Sequence, residues 1–490
     1  MANRPMGFGP ADDDPDERGE DGGQQPFGGA GSGEPTDPLA QLMGQLMGSG
    51  DPAQLARALE AAGAGSVDPA QLSAMVAQVQ RMLSTPSSGG PVNWQLAHDV
   101  ARQTVSEAGD SSIGAAERRA VGEALRLADV WLSERTTLPA AGANALAWSR
   151  AEWVEGTWPV WQRLVEPVAE SVAAAMSRAV SEQTPPELAG LPMLGQAEQM
   201  MRQVGGSVFG LQVGQAVAGL AGEVVSGTDI GLPLVENAAL ALLPSNVAAF
   251  GDGLDVPADE VRLYLALREA ARSRLFVHVP WLGPYLLGAV EDYARGITID
   301  AGLIEQAVRE ADPTDPASMQ QALSSGLFEP HDTPAQQAAL QRLETALALV
   351  EGWVDVVVAS ATGPLPHADA LRETVRRRRA SGGPAEATFA ALVGLELRPR
   401  RVRDAATLWT VIEQARGLDG RDAVWAHPDL LPNPLDLDDP MGFSERRADA
   451  DASSAEVDAA IEALLSDGDP RPSRDEEPGE DGGGSRPQDG

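Results

Sequence analysis

The chain has 490 residues, 43% of them apolar, with no cysteine and a formal net charge of −36. Its length and apolar content allow one large domain or two ordinary ones, and the lack of cysteine excludes disulfides, thiolate nucleophiles, Cys-bound zinc and iron–sulfur clusters, so any metal must use His, Asp or Glu. All 36 basic residues are arginine, which removes Walker-type phosphate lysines and Schiff-base chemistry, and the acidic balance argues against nucleic acid or an anionic membrane as partner.

Residues 1–36 carry eight acids and two arginines and residues 432–490 seventeen acids and five arginines, so half the net charge sits at the two ends. Both segments are rich in Gly, Pro, Asp and Glu and too poor in apolar residues to order themselves, and they are expected to be disordered tails. The first residues lack an apolar h-region, which points to the cytoplasm. Residues 37–85 show helical spacing at Leu39, Leu42, Leu46, Leu72, Val76 and Val79, predicting a small helical appendage. The Gly/Pro/Ser stretch Pro86–Pro91 is the linker to the main body, expected over 92–431.

Helices are predicted in the body near 95–107, 113–135, 139–154, 158–182 and 194–225. Trp94, Trp131, Trp148, Trp153, Trp158 and Trp161 fall in this part and are read as packing residues. The stretch Val204–Val225 approaches the length of a membrane span, but glycines and Gln212, Gln215 and Glu223 interrupt it, and a tightly packed internal helix is expected instead. Between Gly227 and Phe250 short apolar runs bounded by Gly, Pro and Asn suit one or two short strands. Beyond Val256-Pro257 a helix over 260–276 follows, with Asp259 as its N-cap. Further helices are expected to Arg295, over 335–361, around 372–379 and over 405–416, with a closing segment Trp425–Pro432.

The helix at 260–276 contains Arg268-Glu269-Ala270-Ala271-Arg272. Together with Leu349-Val350-Glu351-Gly352-Trp353-Val354-Asp355, the stretch 394–403 and the Trp425–Pro432 segment, it resembles the zincin-like family known from actinobacteria as zinc-dependent metallopeptidases or hydrolases, over about residues 90–440. The resemblance implies a mainly α fold with a few short strands (α+β). It also implies a His-Glu-x-x-His helix whose histidines hold zinc and whose Glu polarises the attacking water, with a further ligand on a later helix. On that alignment Arg268 and Arg272 stand at the two zinc-histidine positions, Glu269 at the general-base position and Glu351 at the later ligand position. A guanidinium has no lone pair to offer a metal, so no metal or other cofactor is expected.

Arg268 and Arg272 are four apart on one helix, as are Glu351 and Asp355 on another, and a charge-balanced network of the four is the expected substitute for a metal centre. His98, His278, His331, His367 and His427 are too scattered to supply a ligand set. The run Arg376–Arg379 is read as a solvated helix face. No Gly-x-Ser-x-Gly elbow is present, and Gly205-Gly206 lacks the surroundings of a dinucleotide loop. Three readings stay open: a pseudoenzyme binding a peptide or protein in the inherited cleft, a working hydrolase with an unusual ligand set that would need zinc, and an interaction hub acting through its acidic tails. Oligomeric state is not legible.

Overall fold

The computed structural model describes residues 90–448 apart from 143, 184–191, 236–238, 297–332 and 381–400, together with 457, 459, 461 and 462. All belong to the unit that begins at Gln80. The appendage expected over 37–85, the tail over 1–36, His331 and the stretch 381–400 lie outside the described residues, as does most of 449–490.

Helix α1 (Trp94–Glu107) starts where Asn93 caps it, the Asn93 Oδ1 accepting from Leu96 N at 3.1 Å. Helix α2 (Ala115–Leu132) follows. Of the helix expected over 139–154 only the last residues, from Arg150, are helical. Residues Ala145–Ala147 are strand β1, and the chain turns helical only at Arg150. The cause is a reciprocal cap at Ser149, whose N–H donates to Glu152 Oε2 (2.7 Å) while its Oγ accepts from Glu152 N (3.2 Å). Asp110 adds its carboxylate to the next two backbone N–H groups, of Arg150 and Ala151. From there α3 (Arg150–Gln183) runs through Pro159 and Pro167 as one helix.

Helix α4 (Pro192–Ala221) contains the stretch Arg202–Ala221, which is long and apolar enough to cross a membrane but is half buried inside the protein. Its glycines explain the burial. A Cβ at Gly210 would lie 2.6 Å from the Asn93 carbonyl oxygen and one at Gly214 2.4 Å from that of Ala97, so the backbones of α4 and α1 touch without side chains between them.

Strand β2 (Leu240–Leu242) pairs in parallel with β1, Ala145 opposite Leu240. On the other edge of β2 the chain at 225–227 runs antiparallel, with Gly227 N donating to Ala241 O and Leu243 N to Val225 O, each at 3.0 Å. Helix α5 (Pro244–Gly251) leads to α6 (Ala258–His278). The expected cap Asp259 lies inside the first turn of α6 rather than before it, with Pro257 at the cap position. There its charge still favours the helix through the dipole. Helix α6 is buried on nearly every side from Val261 to Leu275 and is the central helix of the body.

Helix α7 (Leu282–Arg295) and helix α8 (Pro334–Ala361) pack together, α8 starting from a Thr333/Gln336 capping box with Pro334 in its first turn. Helix α9 (Ala368–Ala380) packs against α6 and α8, and helix α10 (Val402–Asp422) packs against α8, α10 breaking at Gly417, which has a φ of 71°. Gly352 lets α8 and α10 meet at backbone distance, since a Cβ there would stand 2.6 Å from Ala405 Cβ. Trp425 stacks on Trp409 and Trp281 and meets the edge of Trp353, fastening the end of the body to α7, α8 and α10. The packed body also continues past 432, where a tail was expected. Helix α11 (Pro434–Asp438) buries Leu437, Phe443 is buried beyond it, and Arg446 pairs with Asp436 and Asp439. A few short apolar anchors are enough to order an otherwise acidic segment.

Candidate functional site

Helix α6 carries Arg268, Glu269 and Arg272, and the adjacent α8 carries Glu351 and Asp355. All five side chains are buried. Arg268 Nη2 donates to Glu351 Oε2 at 2.7 Å. Arg272 grips the same carboxylate with two donors, Nε to Oε1 at 2.7 Å and Nη2 to Oε2 at 3.2 Å. The i, i+4 arginines of one helix thus close on one carboxylate of the other.

Burial alone would raise the Glu351 pKa, but Arg272, Arg379 and Arg268 outweigh it and bring the carboxyl down to about 2. Burial likewise works against the charge on Arg272, and Glu351 reverses it, holding that guanidinium above its ordinary value.

Asp355 does not complete this pair. It is hydrogen-bonded instead by α9: Arg372 Nε at 3.0 Å and Arg376 Nη2 at 2.7 Å, while Arg268 acts on it only through its charge. Burial would raise its pKa, and these arginines lower it. The reason is local. Asp355 lies one turn beyond Glu351 on α8, where α9 and not α6 is in hydrogen-bonding reach.

The reading of Arg376–Arg379 as a solvated face is therefore corrected. Arg376 reaches Asp355, Arg379 Nη1 lies 3.2 Å from Glu351 Oε2 and Arg379 Nη2 donates to the Asp229 backbone carbonyl at 2.7 Å, and Arg378 donates to the Glu223 carbonyl. Only Arg377 keeps a largely exposed pairing, with Glu373. The spacing of Arg372, Arg376 and Arg379, i, i+4, i+7, places them on one face and is the signal in the sequence that reveals their role.

Glu269 is held by Thr228 and not by the arginine pair. The edge chain beside β2 delivers Thr228 to it, and Oε2 accepts from Thr228 Oγ1 at 2.6 Å and from Thr228 N at 3.2 Å. Its other oxygen, Oε1, and the hydroxyl of Ser226 are both buried without a hydrogen-bonded partner among the described residues. Burial raises the Glu269 pKa, against the opposing influence of Thr228, Ser226 and Arg272. Gly227 allows the approach, for a Cβ there would stand 3.1 Å from Glu269 Oε1. The next turn brings in Gly231 at φ 82°, beside Glu351 Oε1, and Asp229, 4.0 Å from Arg272. Ser226, Thr228 and Asp229 carried no signal in the sequence beyond lying in a Gly-rich break between helices.

The body is mainly helical, with a minimal parallel sheet packed on a buried central helix and an acid-bearing helix beside it. A family profile described as zincin-like metallopeptidase matches residues 92–444, and the chain belongs to that family. Among solved structures, one from Chloroflexus aurantiacus, described as a candidate hydrolase with a novel fold, superposes with a TM-score of 0.51 at 18% identity. The match covers 73% of this chain and 99% of that one, and it shows a shared fold. A search of curated protein sequences found no match.

The family implies a zinc ion, and the residues of this chain do not fit one. Both Glu351 oxygens are held by guanidinium donors, which offer no lone pair, and Glu269 is bound to Thr228. No three His, Asp or Glu side chains converge among the described residues. The described histidines are engaged elsewhere: His98 with Glu155, His278 with the Ala140 carbonyl, His367 with Glu260 and His427 with Asp429.

Proposed function

We propose that this chain is a zincin-like protein in which guanidinium charge stands where the family holds metal, and that it works by binding a peptide or protein rather than by hydrolysis. The observation that carries this reading is the clamp on Glu351 by Arg268 and Arg272, all three buried. A carboxylate so held is neutralised by fixed cations and has no coordination to offer, while an arginine cannot release its proton to become a ligand. Glu269 is then a vestige of a general base: it is buried, and one of its oxygens is bound to Thr228. The net charge of −36 supports a partner other than nucleic acid or an anionic membrane, and we place the protein in the cytoplasm.

Metal analysis of protein purified without chelator tests the reading. The expected result is far less than one zinc per chain, with a thermal midpoint unmoved by added zinc or by chelator, since a ligand that does not bind the native state cannot stabilise it. One zinc per chain, with peptide hydrolysis lost in Glu269→Gln, would overturn it.

A further inference from the structure

The arginines that meet Asp355 are left with donors to spare. Asp355 is buried and takes two guanidiniums, its Oδ2 accepting from both Arg372 and Arg376. Arg372 is thereby fixed through Nε and Nη2, and Arg376 through Nη2. Arg372 Nη1 and Arg376 Nε and Nη1 donate to no described residue. Both side chains remain partly open, at 28% and 29% exposure. Arg379, next along the same face, is shared between Glu351 and Asp229.

The local charge points the same way. Arg268, Arg272, Arg372, Arg376 and Arg379 gather around the carboxylates of Glu351, Asp355 and Asp229. Burial, with repulsion from Arg272 and Arg268, lowers Arg379 to about 10 in spite of Glu351 and Asp229.

We infer that Arg372 and Arg376, held in place by Asp355, form an oxyanion-binding site that takes a carboxylate or phosphate group carried by a peptide ligand. The spare guanidinium N–H groups are charged donors suited to an oxyanion, and arginines already immobilised by a buried acid lose little further freedom on binding. The inference rests on the reading of this region as a binding site, and it gives the ligand class that the reading lacks.

The test is titration calorimetry on the full chain with inorganic phosphate, with N-acetyl-dialanine and with the C-terminal amide of that dipeptide, each against sodium chloride of matched ionic strength. One saturable site is expected for phosphate or for the free carboxylate, and none for the amide. Whichever of the two binds identifies the source of the oxyanion. Arg376→Gln is expected to weaken binding about tenfold, the loss of one hydrogen bond to a charged group. Arg377→Gln, at an exposed position on the same helix, is expected to leave it unchanged.

Arg376→Lys keeps the charge but has a single ammonium that must serve both Asp355 and the ligand, so it is expected to weaken binding as well and serves if the glutamine variant does not fold. Saturation by neither probe above the salt control would overturn the inference, as would equal binding by the Arg376 and Arg377 variants. Zinc found in the metal analysis alongside intact oxyanion binding would sink the reading of the function and leave this site standing.

Discussion

Glu351 and Glu269 sit on adjacent helices, both fully buried, and their carboxyls move in opposite directions because only one meets cations through hydrogen bonds. For Glu351 the folded value of about 2 lies below the ordinary 4.5. Its contribution is therefore complete above pH 4.5 and is lost as the pH falls toward 2. Asp355 and Asp422 are lowered too and add to the same acid-side loss. Glu269 is raised, so the fold is penalised as the pH climbs from 4.5 through its folded value. Glu269→Gln should raise the denaturant midpoint at pH 7 and flatten that alkaline-side decline, because an amide can accept from Thr228 and donate to Ser226 without charge. A lower midpoint for this variant would show that the ionised carboxylate is needed.

Removing one partner from the clamp is expected to be costly. Glu351→Gln leaves Arg268 and Arg272 buried without a full counter-charge, at about 3–5 kcal/mol. Replacing all three by apolar residues of similar volume is expected to cost less than that single change, because of the charges left behind only Arg379 loses a contact to Glu351, and it keeps Asp229. Urea unfolding of the two variants side by side checks the order.

At the scale of elements, glycine sets the two closest helix contacts. Gly214 of α4 faces the Ala97 carbonyl and Val100 of α1, and Gly352 of α8 faces Ala405 of α10. A methyl at either position meets backbone or a rigid side chain, and Gly214→Ala or Gly352→Ala should destabilise by about 1–3 kcal/mol through overpacking. The second also shifts the helix that carries Glu351, so it should lower the midpoint and narrow the acid-side stability difference between the parent and Glu351→Gln. Equilibrium unfolding at pH 7 and pH 4 gives both readings.

The helices themselves were legible. α1, α6, α7 and α8 fall within a few residues of their apolar periodicity because they are long and buried along a continuous face. The exception at 139–154 arose where Ala-rich sequence suits helix and strand alike. A cap at Ser149 and pairing with β2, about ninety residues away, decided the outcome. Neither the partner strand nor Asp110 is visible in a local window.

For the molecule as a whole, the buried apolar residues of the described body run from Val92 to Phe443. A fragment spanning residues 90–448 should therefore unfold cooperatively with the same thermal midpoint as the full chain. A midpoint lower by more than a few degrees would show that the remaining segments contribute to it. The acidic balance and the absence of lysine and cysteine constrain the possible chemistry regardless of fold.

By itself, the sequence determined the mainly helical class, the resemblance to zincin-like proteins and the presence of arginine at 268 and 272, because periodicity and side-chain chemistry are local properties. It also placed Glu351 four residues before Asp355, but helical spacing says only that two residues share a face and not which neighbour that face meets. Tertiary structure gave Glu351 to α6, Asp355 to α9 and Thr228 to Glu269. Hydrogen bonds reach only about 3 Å, so one helical turn along α8 is enough to change which arginines a carboxylate can hold.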